Sequence, residues 1–265
     1  RRLDMIQFFY DNPKVLNLLK GFLKQVPDIE RALSRLSLAR SGPRDLVVIR
    51  DGLALSAKIE TCFTQHTVSE GLCDVLADIG KHQDLVLVLT NALEIDLPLY
   101  ARDGGFIAEG FSQAFDELRK LRDESRHLIS GLQVDYINIS NVQSLKIKHN
   151  NVLGYFVEVS LRNEEFMPVG PDGIFIRRQT MKNAVRYTTI ELSDLEGKIA
   201  SAADKLIAME LEIYDKLTNN VLNQVESIAL AASALARLDV SAALASLAKE
   251  QGYNRPMIDE SLNFE

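Results

Sequence analysis

The residues best suited to chemistry form one basic run in the second half of the chain. From Ile176 to Tyr187 the sequence contains no acidic side chain and four basic ones, Arg177, Arg178, Lys182 and Arg186. Arg and Lys side chains bind phosphate oxygens, and the Gln, Thr and Asn side chains between them add neutral hydrogen bonds to a nucleic-acid backbone. Such contacts position a protein on a duplex without reading its sequence. The alternative interpretation is a solvated strand surface whose charges serve solubility, and composition alone favours neither.

The charge around this run is opposite in sign to that of the rest of the chain. The 265 residues contain 30 Lys and Arg against 37 Asp and Glu, which gives a net charge of −7. Residues 144–190 contain seven bases (Lys146, Lys148, Arg162, Arg177, Arg178, Lys182 and Arg186) and four acids (Glu158, Glu164, Glu165 and Asp172), which gives this segment a net charge of +3. The rest of the chain therefore has a net charge of −10. This distribution excludes a protein that binds nucleic acid over its whole surface, and leaves one basic segment as the candidate.

No residue pattern typical of an enzyme accompanies the basic run. The sequence lacks a GxxxxGK[ST] phosphate loop, a GxGxxG dinucleotide fingerprint and a GxSxG nucleophile turn. Its four histidines are scattered, and Cys62 and Cys73 lack the spacing of metal ligands, which favours two reduced thiols. We therefore expect no catalytic residue, no metal site and no cofactor in this chain.

Two further expectations concern the chain as a whole. We find no uninterrupted apolar run near the roughly 20 residues that a membrane-spanning helix needs, so we expect no membrane segment. The sequence opens on Arg1 rather than Met and leads into no signal-type apolar segment. We therefore expect the numbering to begin inside a larger protein.

The elements that position the basic run are mostly helices. Pro13, Pro27 and Pro43 predict helix starts, with Asn12 as the cap of the first of them. Apolar residues at helical spacing then predict a helical bundle over residues 3–97. Asp103-Gly104-Gly105 predicts a turn. After this turn a long helix is predicted, with a narrow apolar stripe of Phe111, Phe115, Leu118, Leu121, Leu128 and Leu132.

Near Ser144 the apolar period changes from that of a helix to that of a strand. Alternation over 144–148, a turn at His149-Asn150-Asn151 and a β-branched and aromatic run over 154–160 predict a hairpin. Another strand is predicted over 174–178 after a loop rich in Pro and Gly. Together these elements predict a small antiparallel sheet.

The chain then returns to helix. Residues 191–250 contain no proline and one glycine, which predicts one or two long helices with a break near Asn219-Asn220 or near Leu238-Asp239. The predicted fold is mainly α, a helical bundle with long helices and a small inserted antiparallel β domain. Its predicted parts are residues 1–132, 133–190 and 191–265, with the basic insertion at the end of a helical arm.

Several motifs occur in an order that resembles the MutS family of DNA mismatch repair proteins. The resemblance spans nearly the whole chain. The motifs are Pro27–Leu36, Asp103–Phe111, Leu145–Ile147 with Gly154–Val159, Arg177–Tyr187, Ala234–Val240 and Gly252–Pro256. By this resemblance, residues 1–132 and 191–265 are the core, or lever, domain, and residues 133–190 are the inserted clamp domain.

The resemblance implies a role for the clamp and partners for the whole protein. Clamp tips of the family lie across duplex DNA, and the lever connects them to an ATPase domain. Carried over by motif, the implied DNA-backbone contacts are Lys182 and Asn183 first, then Arg177, Arg178 and Arg186, with Lys146, Lys148 and Asn150. The implied partners are mismatch-containing double-stranded DNA, a second subunit and a MutL-type protein. ATP and Mg²⁺ would bind an ATPase domain beyond Glu265, and the location would be the bacterial cytoplasm, at the nucleoid.

The sequence also departs from the family pattern. Val185 stands where Glu is common, which predicts a more basic tip, and Ile190 stands where a helix-starting Pro is common, which predicts a less defined helix start. Phe156-Val157-Glu158 matches the family's Phe-x-Glu mismatch-reading pattern, but its place in an alternating strand predicts sheet residues instead.

Two alternatives to a mismatch repair protein stay open at this point. One is a coiled-coil scaffold whose inserted β module contacts protein, although such a module would not require an acid-free basic run. The other is a MutS-like paralogue that acts outside mismatch repair.

Overall fold

The computed structural model describes residues 1–150, 152–170 and 173–258, except for the side chains of Leu121, Ser125 and Arg126. The predicted turn residue Asn151, the acid Asp172 and the stripe residue Leu121 therefore lie outside what is described. Two compact units are present, one formed by Arg1–Ala108 with Leu211–Glu265 and the other by Glu109–Glu210. The second unit contains the predicted clamp segment 133–190 together with the helices beside it.

The described residues form a mainly α structure with one small sheet, as predicted. The helices are α1 (Arg2–Asp11), α2 (Pro13–Leu23), α3 (Ile29–Ser37), α4 (Pro43–Thr61), α5 (Glu70–Ile79), α6 (Gln83–Ala92), α7 (Gln113–Ser140), α8 (Ile190–Leu222) and α9 (Val225–Gln251). The strands are β1 (Lys146–Asn150), β2 (Gly154–Ser160), β3 (Ile176–Thr180) and β4 (Ala184–Thr188). Short 3-10 helices lie at Ala101–Asp103 and Leu161–Phe166.

Helix starts in the first unit follow the prolines only in part. Helix α2 begins at Pro13 as predicted, but the Asn12 side chain donates to the Phe8 carbonyl at 2.8 Å and so closes α1 instead of capping α2. Helix α3 begins two residues after Pro27, where the Asp28 carboxylate accepts from the Arg31 amide at 2.9 Å. An N-cap side chain thus overrides the proline signal there.

Helix α9 forms the centre of the first unit. It packs against α1, α2, α3, α4 and α5. By length and composition alone its 27 residues are apolar enough to cross a membrane, a property that a search for uninterrupted apolar runs missed. Its buried side recurs every three or four residues through Ile228, Ala231, Leu235, Leu238, Ala242 and Ala245, which identifies α9 as the core helix of a bundle.

The return helix breaks once, between α8 and α9. Helix α8 ends at Leu222 and α9 begins at Val225, close to the predicted break at Asn219-Asn220. The other predicted break, at Leu238-Asp239, is wrong because both residues lie inside α9. Leu238 is fully buried there, so packing holds this part of the helix in place.

The sheet of the second unit is antiparallel with the order β1-β2-β4-β3. Strand β2 has the predicted bounds, whereas β1 continues through His149 and Asn150, which were predicted as a turn. Strand β3 begins at Ile176 rather than Ile174. Strand β4 was not predicted, although it pairs with both β2 and β3.

One face of this sheet is buried under α7 and α8. The core combines Val157, Val159, Val185 and Tyr187 of the strands with Ile129, Leu132 and Tyr136 of α7 and Leu192, Leu195 and Ile199 of α8. The Phe175 ring lies edge-on to Tyr136 and Tyr187, with centroids at 5.3 and 6.2 Å. The predicted α7 stripe is therefore correct at Phe115 and Leu132 but not at Leu128, whose side chain is exposed.

The start of α8 is sharply defined, contrary to the expectation from Ile190. The Thr189 hydroxyl accepts from the Leu192 amide at 3.0 Å, which caps the helix without a proline. The same hydroxyl is 2.5 Å from the Tyr136 hydroxyl, so α7 contributes to this cap. Burial raises the pKa of the Tyr136 hydroxyl above its ordinary value of 10.0.

Replacing Thr189 with Val tests this junction. Thr189→Val should lower the free energy of unfolding by about 1–2 kcal/mol, because it removes a helix cap and a buried hydrogen-bond partner. Tyr136→Phe removes only the second interaction and should cost about 1 kcal/mol. Urea unfolding of both variants measures the difference, and a Thr189→Val protein as stable as the wild type would contradict the assigned cap.

Candidate nucleic-acid interface

Strand register brings four of the eight predicted contact residues, Lys146, Arg178, Lys182 and Asn183, to or near one end of the sheet. Lys146 at the start of β1 pairs with Glu158 near the end of β2, and Ser160 pairs with Ala184 at the start of β4. The Leu161 amide donates to the Asn183 carbonyl at 3.2 Å, which joins the following 3-10 helix to the β3–β4 turn. We call this end the basic end and define it by Lys146, Arg162, Arg178, Lys182 and Asn183.

The basic end presents cations that are not neutralised. All five of its side chains are exposed. Within the described part of the chain, none of its four cations has an ion-pair partner within 4.0 Å. Arg178 is at the irregularity in the β3–β4 pairing between Arg177 and Gln179, which takes it out of the regular ladder. Four positive charges and one amide are therefore free to bind an anion.

The predicted contact Arg177 is engaged within the protein. One of its guanidinium nitrogens lies 2.7 Å from a Glu164 carboxylate oxygen, and its Nε donates to the Thr180 hydroxyl at 3.0 Å. Glu164 is in the 3-10 helix that follows β2. This pairing makes Arg177 a weaker candidate for phosphate than Arg178.

The predicted contacts Lys148 and Arg186 share one carboxylate on the outer face of the sheet. Glu158 lies 2.6 Å from the Lys148 ammonium and 3.2 Å from Arg186 Nε. Hydrogen bonds from Lys148 and then Arg186 hold the pKa of Glu158 below its ordinary value of 4.5, although partial burial acts in the opposite direction. A negative charge thus sits between these two cations at neutral pH.

Arg186 has further contacts that fix it in place. Its Nη1 donates to the Gln179 side-chain carbonyl at 3.0 Å, and its guanidinium carbon lies 4.5 Å from the centroid of the Phe156 ring. Only 19% of its side chain is exposed. Arg186 therefore joins β2, β3 and β4 more than it faces solvent.

Asn150 lies at the opposite end of the sheet from the basic end. Its side-chain oxygen accepts from the Val152 and Leu153 amides at 2.9 and 2.7 Å, which closes the turn between β1 and β2. The structure thus gives Asn150 a local role in the hairpin. It does not bring this side chain to Lys182 and Asn183.

Two family-based expectations concern β2 and β4. Val185, which stands where Glu is common in the family, is completely buried and packs in the sheet core. Phe156 and Glu158 are strand residues, as predicted, and Phe156 is the ring beneath Arg186. Arg162 was not among the predicted contacts. The hydrogen bond from the neighbouring Leu161 amide to the Asn183 carbonyl, which joins this part of the chain to the β3–β4 turn, depends on the fold.

No alternative chemistry is visible around these residues. Among the described residues, no three His, Cys, Asp or Glu side chains lie close enough together to hold a metal ion. Cys62 and Cys73 are free, and partial burial raises the pKa of the Cys62 thiol. The arrangement at the basic end is that of an anion-binding surface.

Comparison with known proteins gives a consistent result. A model of the family described as MutS domain III matches residues 1–245. The DNA mismatch repair protein MutS of Bartonella tribocorum is 46% identical over 266 residues, which cover 99% of this chain and 29% of that protein. The MutS protein of Roseobacter denitrificans is 45% identical to this chain over 264 residues, which cover 99% of this chain and 30% of that protein. The MutS protein of Rhizobium meliloti is 46% identical over 267 residues, which cover 100% of this chain and 29% of that protein. The chain spans about three tenths of the length of these curated relatives.

The Glu158 ion pairs predict a pH-dependent stability. Because the folded-state pKa of Glu158 is lowered, its contribution is present above its ordinary pKa of 4.5 and is lost as the pH falls through the folded-state value. Glu158→Gln should therefore be about 1 kcal/mol less stable than the wild type at pH 7. That difference should shrink below pH 4.5. Urea unfolding at several pH values measures it, and a pH-independent difference would refute the assignment.

Proposed function

We propose that this chain, which belongs to the MutS domain III family, holds duplex DNA by its sugar–phosphate backbone as part of a DNA mismatch repair protein. Its relatives bear the name of that repair protein, and the family match covers residues 1–245. The observation that carries the proposal is the basic end of the sheet, where one amide and four cations without an ion-pair partner among the described residues are exposed on an otherwise acidic protein.

The chemistry of this surface suits phosphate better than base edges. Lys146 and Lys182 are compact point charges, the guanidinium forks of Arg162 and Arg178 match the oxygens of a phosphate, and Asn183 adds a neutral hydrogen bond. Recognition of this kind is independent of sequence. It is sensitive to salt, because each phosphate contact releases condensed counterions.

We divide the eight sequence-predicted contacts into two groups according to their partners within the protein. Lys182, Asn183, Arg178 and Lys146 are exposed at the basic end, and we assign direct phosphate contacts to them together with Arg162. The other group consists of Arg177, Lys148, Arg186 and Asn150. Since these four already have partners within the protein, we assign them supporting roles.

We further propose that α8 links DNA contact to the rest of a longer protein. It begins two residues after β4 and continues for 33 residues, which corresponds to about 50 Å of helix. A helix of this length transmits a displacement along its axis without needing a flexible connection. In the longer protein its partner would be an ATPase domain that binds ATP and Mg²⁺.

The wider setting follows from the family and is part of the same proposal. We propose a homodimer that binds mismatch-containing double-stranded DNA and cooperates with a MutL-type protein at the nucleoid of the bacterial cytoplasm. The alternative of a scaffold whose β module contacts protein is less well supported. Its binding surface would not need four unpaired cations on a protein of net charge −7.

Alanine substitutions at the basic end test the proposal. Lys182→Ala, Arg178→Ala and Lys146→Ala should each weaken duplex binding several-fold at low salt. Each should also reduce the slope of log affinity against log salt by about 0.9. The losses should be equal on two duplexes of unrelated sequence, because no base is read. Fluorescence anisotropy of the full chain with labelled duplexes between 50 and 200 mM salt measures both effects.

Lys14→Ala is the matched control, since Lys14 is an exposed lysine of the first unit. The Lys14→Ala substitution changes the net charge by the same amount, at a position far from the basic end in the sequence. We expect Lys14→Ala to keep the wild-type slope. If all four variants bind like the wild type, or if all lose affinity equally, the assignment of DNA contact to the basic end is wrong.

A further inference from the structure

We propose that Glu158 limits how tightly the clamp holds DNA, because it occupies Lys148 and keeps this lysine from phosphate. The inference rests on the proposed function and concerns residues beside the basic end. It assigns a specific role to an acidic residue on a surface whose ligand is a polyanion.

Glu158 lies on the outer face of the sheet, directly opposite Lys146 of the basic end. Its cross-strand neighbours are Lys146 on β1 and Arg186 on β4, and directly opposed residues of antiparallel strands lie on the same face. Its carboxylate contacts Lys148 at 2.6 Å and Arg186 at 3.2 Å, whereas Lys146 makes no ion pair among the described residues. Two of the three cations around Glu158 are therefore occupied.

The two partners of Glu158 differ in how firmly they are held. Arg186 also contacts Gln179 and the Phe156 ring, and 19% of its side chain is exposed. The Lys148 side chain is 49% exposed, and its ammonium is held by Glu158. Lys148 is consequently the exchangeable partner, with a flexible stem that can reach an approaching phosphate.

Glu158 and an approaching phosphate therefore compete for the Lys148 ammonium. A phosphate that takes Lys148 must break an ion pair, and Glu158 then repels the incoming anion. With a neutral side chain at position 158, Lys148 would join Lys146 and Lys182 as a free cation. The acid thereby removes about one phosphate contact from those that the sheet would otherwise make.

A double-mutant cycle on the full chain tests this role. Glu158→Gln should steepen the slope of log affinity against log salt by about 0.9, so that a four-fold rise in salt causes an additional three- to four-fold loss of affinity. Lys148→Ala should change little in the wild type and should abolish the gain in the Glu158→Gln background. Additive effects of the two substitutions would overturn the proposal.

Glu165→Gln is the matched control for net charge. Glu165 is an exposed acid of the neighbouring 3-10 helix and makes no ion pair within the described ranges. We expect it to raise the affinity less than Glu158→Gln and to leave the salt slope unchanged. An equal gain from both acid-to-amide changes would mean that net charge alone acts, and the role of Glu158 would be refuted.

A measurement on the wild type keeps the test independent of how well the variants fold. In nitrogen-detected NMR spectra of the side-chain ammonium groups, DNA should shift the Lys182 signal and leave that of Lys148 nearly unchanged. Equal shifts of both signals would refute the inference. Wild-type protein that binds no duplex at 50 mM salt would instead refute the proposed function, which distinguishes the two failures.

Discussion

The four-stranded sheet depends on having one face covered. A small sheet is not stable in water unless an apolar face is buried against other elements. Here α7 and α8 cover that face with Tyr136, Leu192 and their neighbours. Because side chains alternate along a strand, burying Val157 and Val185 sends Glu158 and Arg186 to the opposite face. The location of the charges thus follows from the location of the core.

Alternation also explains why only part of the basic segment is free. On the outer face, charged residues from three strands are close neighbours and can neutralise one another, as Lys148, Glu158 and Arg186 do. At the end of the sheet the strands stop and cross-strand partners are fewer, so Lys182 and Arg162 face solvent. A segment with a net charge of +3 therefore divides into a balanced face and an unbalanced end.

The extent to which sequence predicted this arrangement varies with the range of the interactions involved. Strand β2 was predicted with its observed bounds because its composition and its glycine start are local signals. Strand β4 was not predicted, because its alternating buried and exposed side chains lie within the basic run, which was interpreted as a binding surface. The pairing of Arg186 with Glu158 joins residues 28 positions apart, and no local pattern fixes the register that brings them together.

Helix boundaries show the same dependence on context. Asn12 and Pro13 give a start signal, yet the Asn12 side chain donates to the Phe8 carbonyl of α1 and does not cap α2. Thr189 caps α8 although it was not selected as a cap, and its contact with Tyr136 joins residues 53 positions apart, which no local pattern indicates. The local sequence shows which residues are able to cap a helix, and tertiary packing determines which of them form the cap.

The role of Glu158 joins stability to binding at one carboxylate. The partly buried guanidinium of Arg186 requires a counter-charge, since a cation left without a partner in that position destabilises the fold. The same negative charge opposes any phosphate that approaches the outer face. In the proposed function DNA would therefore be directed to the basic end, where no ion pair among the described residues competes for the cations. If all seven basic residues of segment 144–190 faced DNA, the segment would lack the ion pairs that join β4 to β2 and β3 to the 3-10 helix after β2.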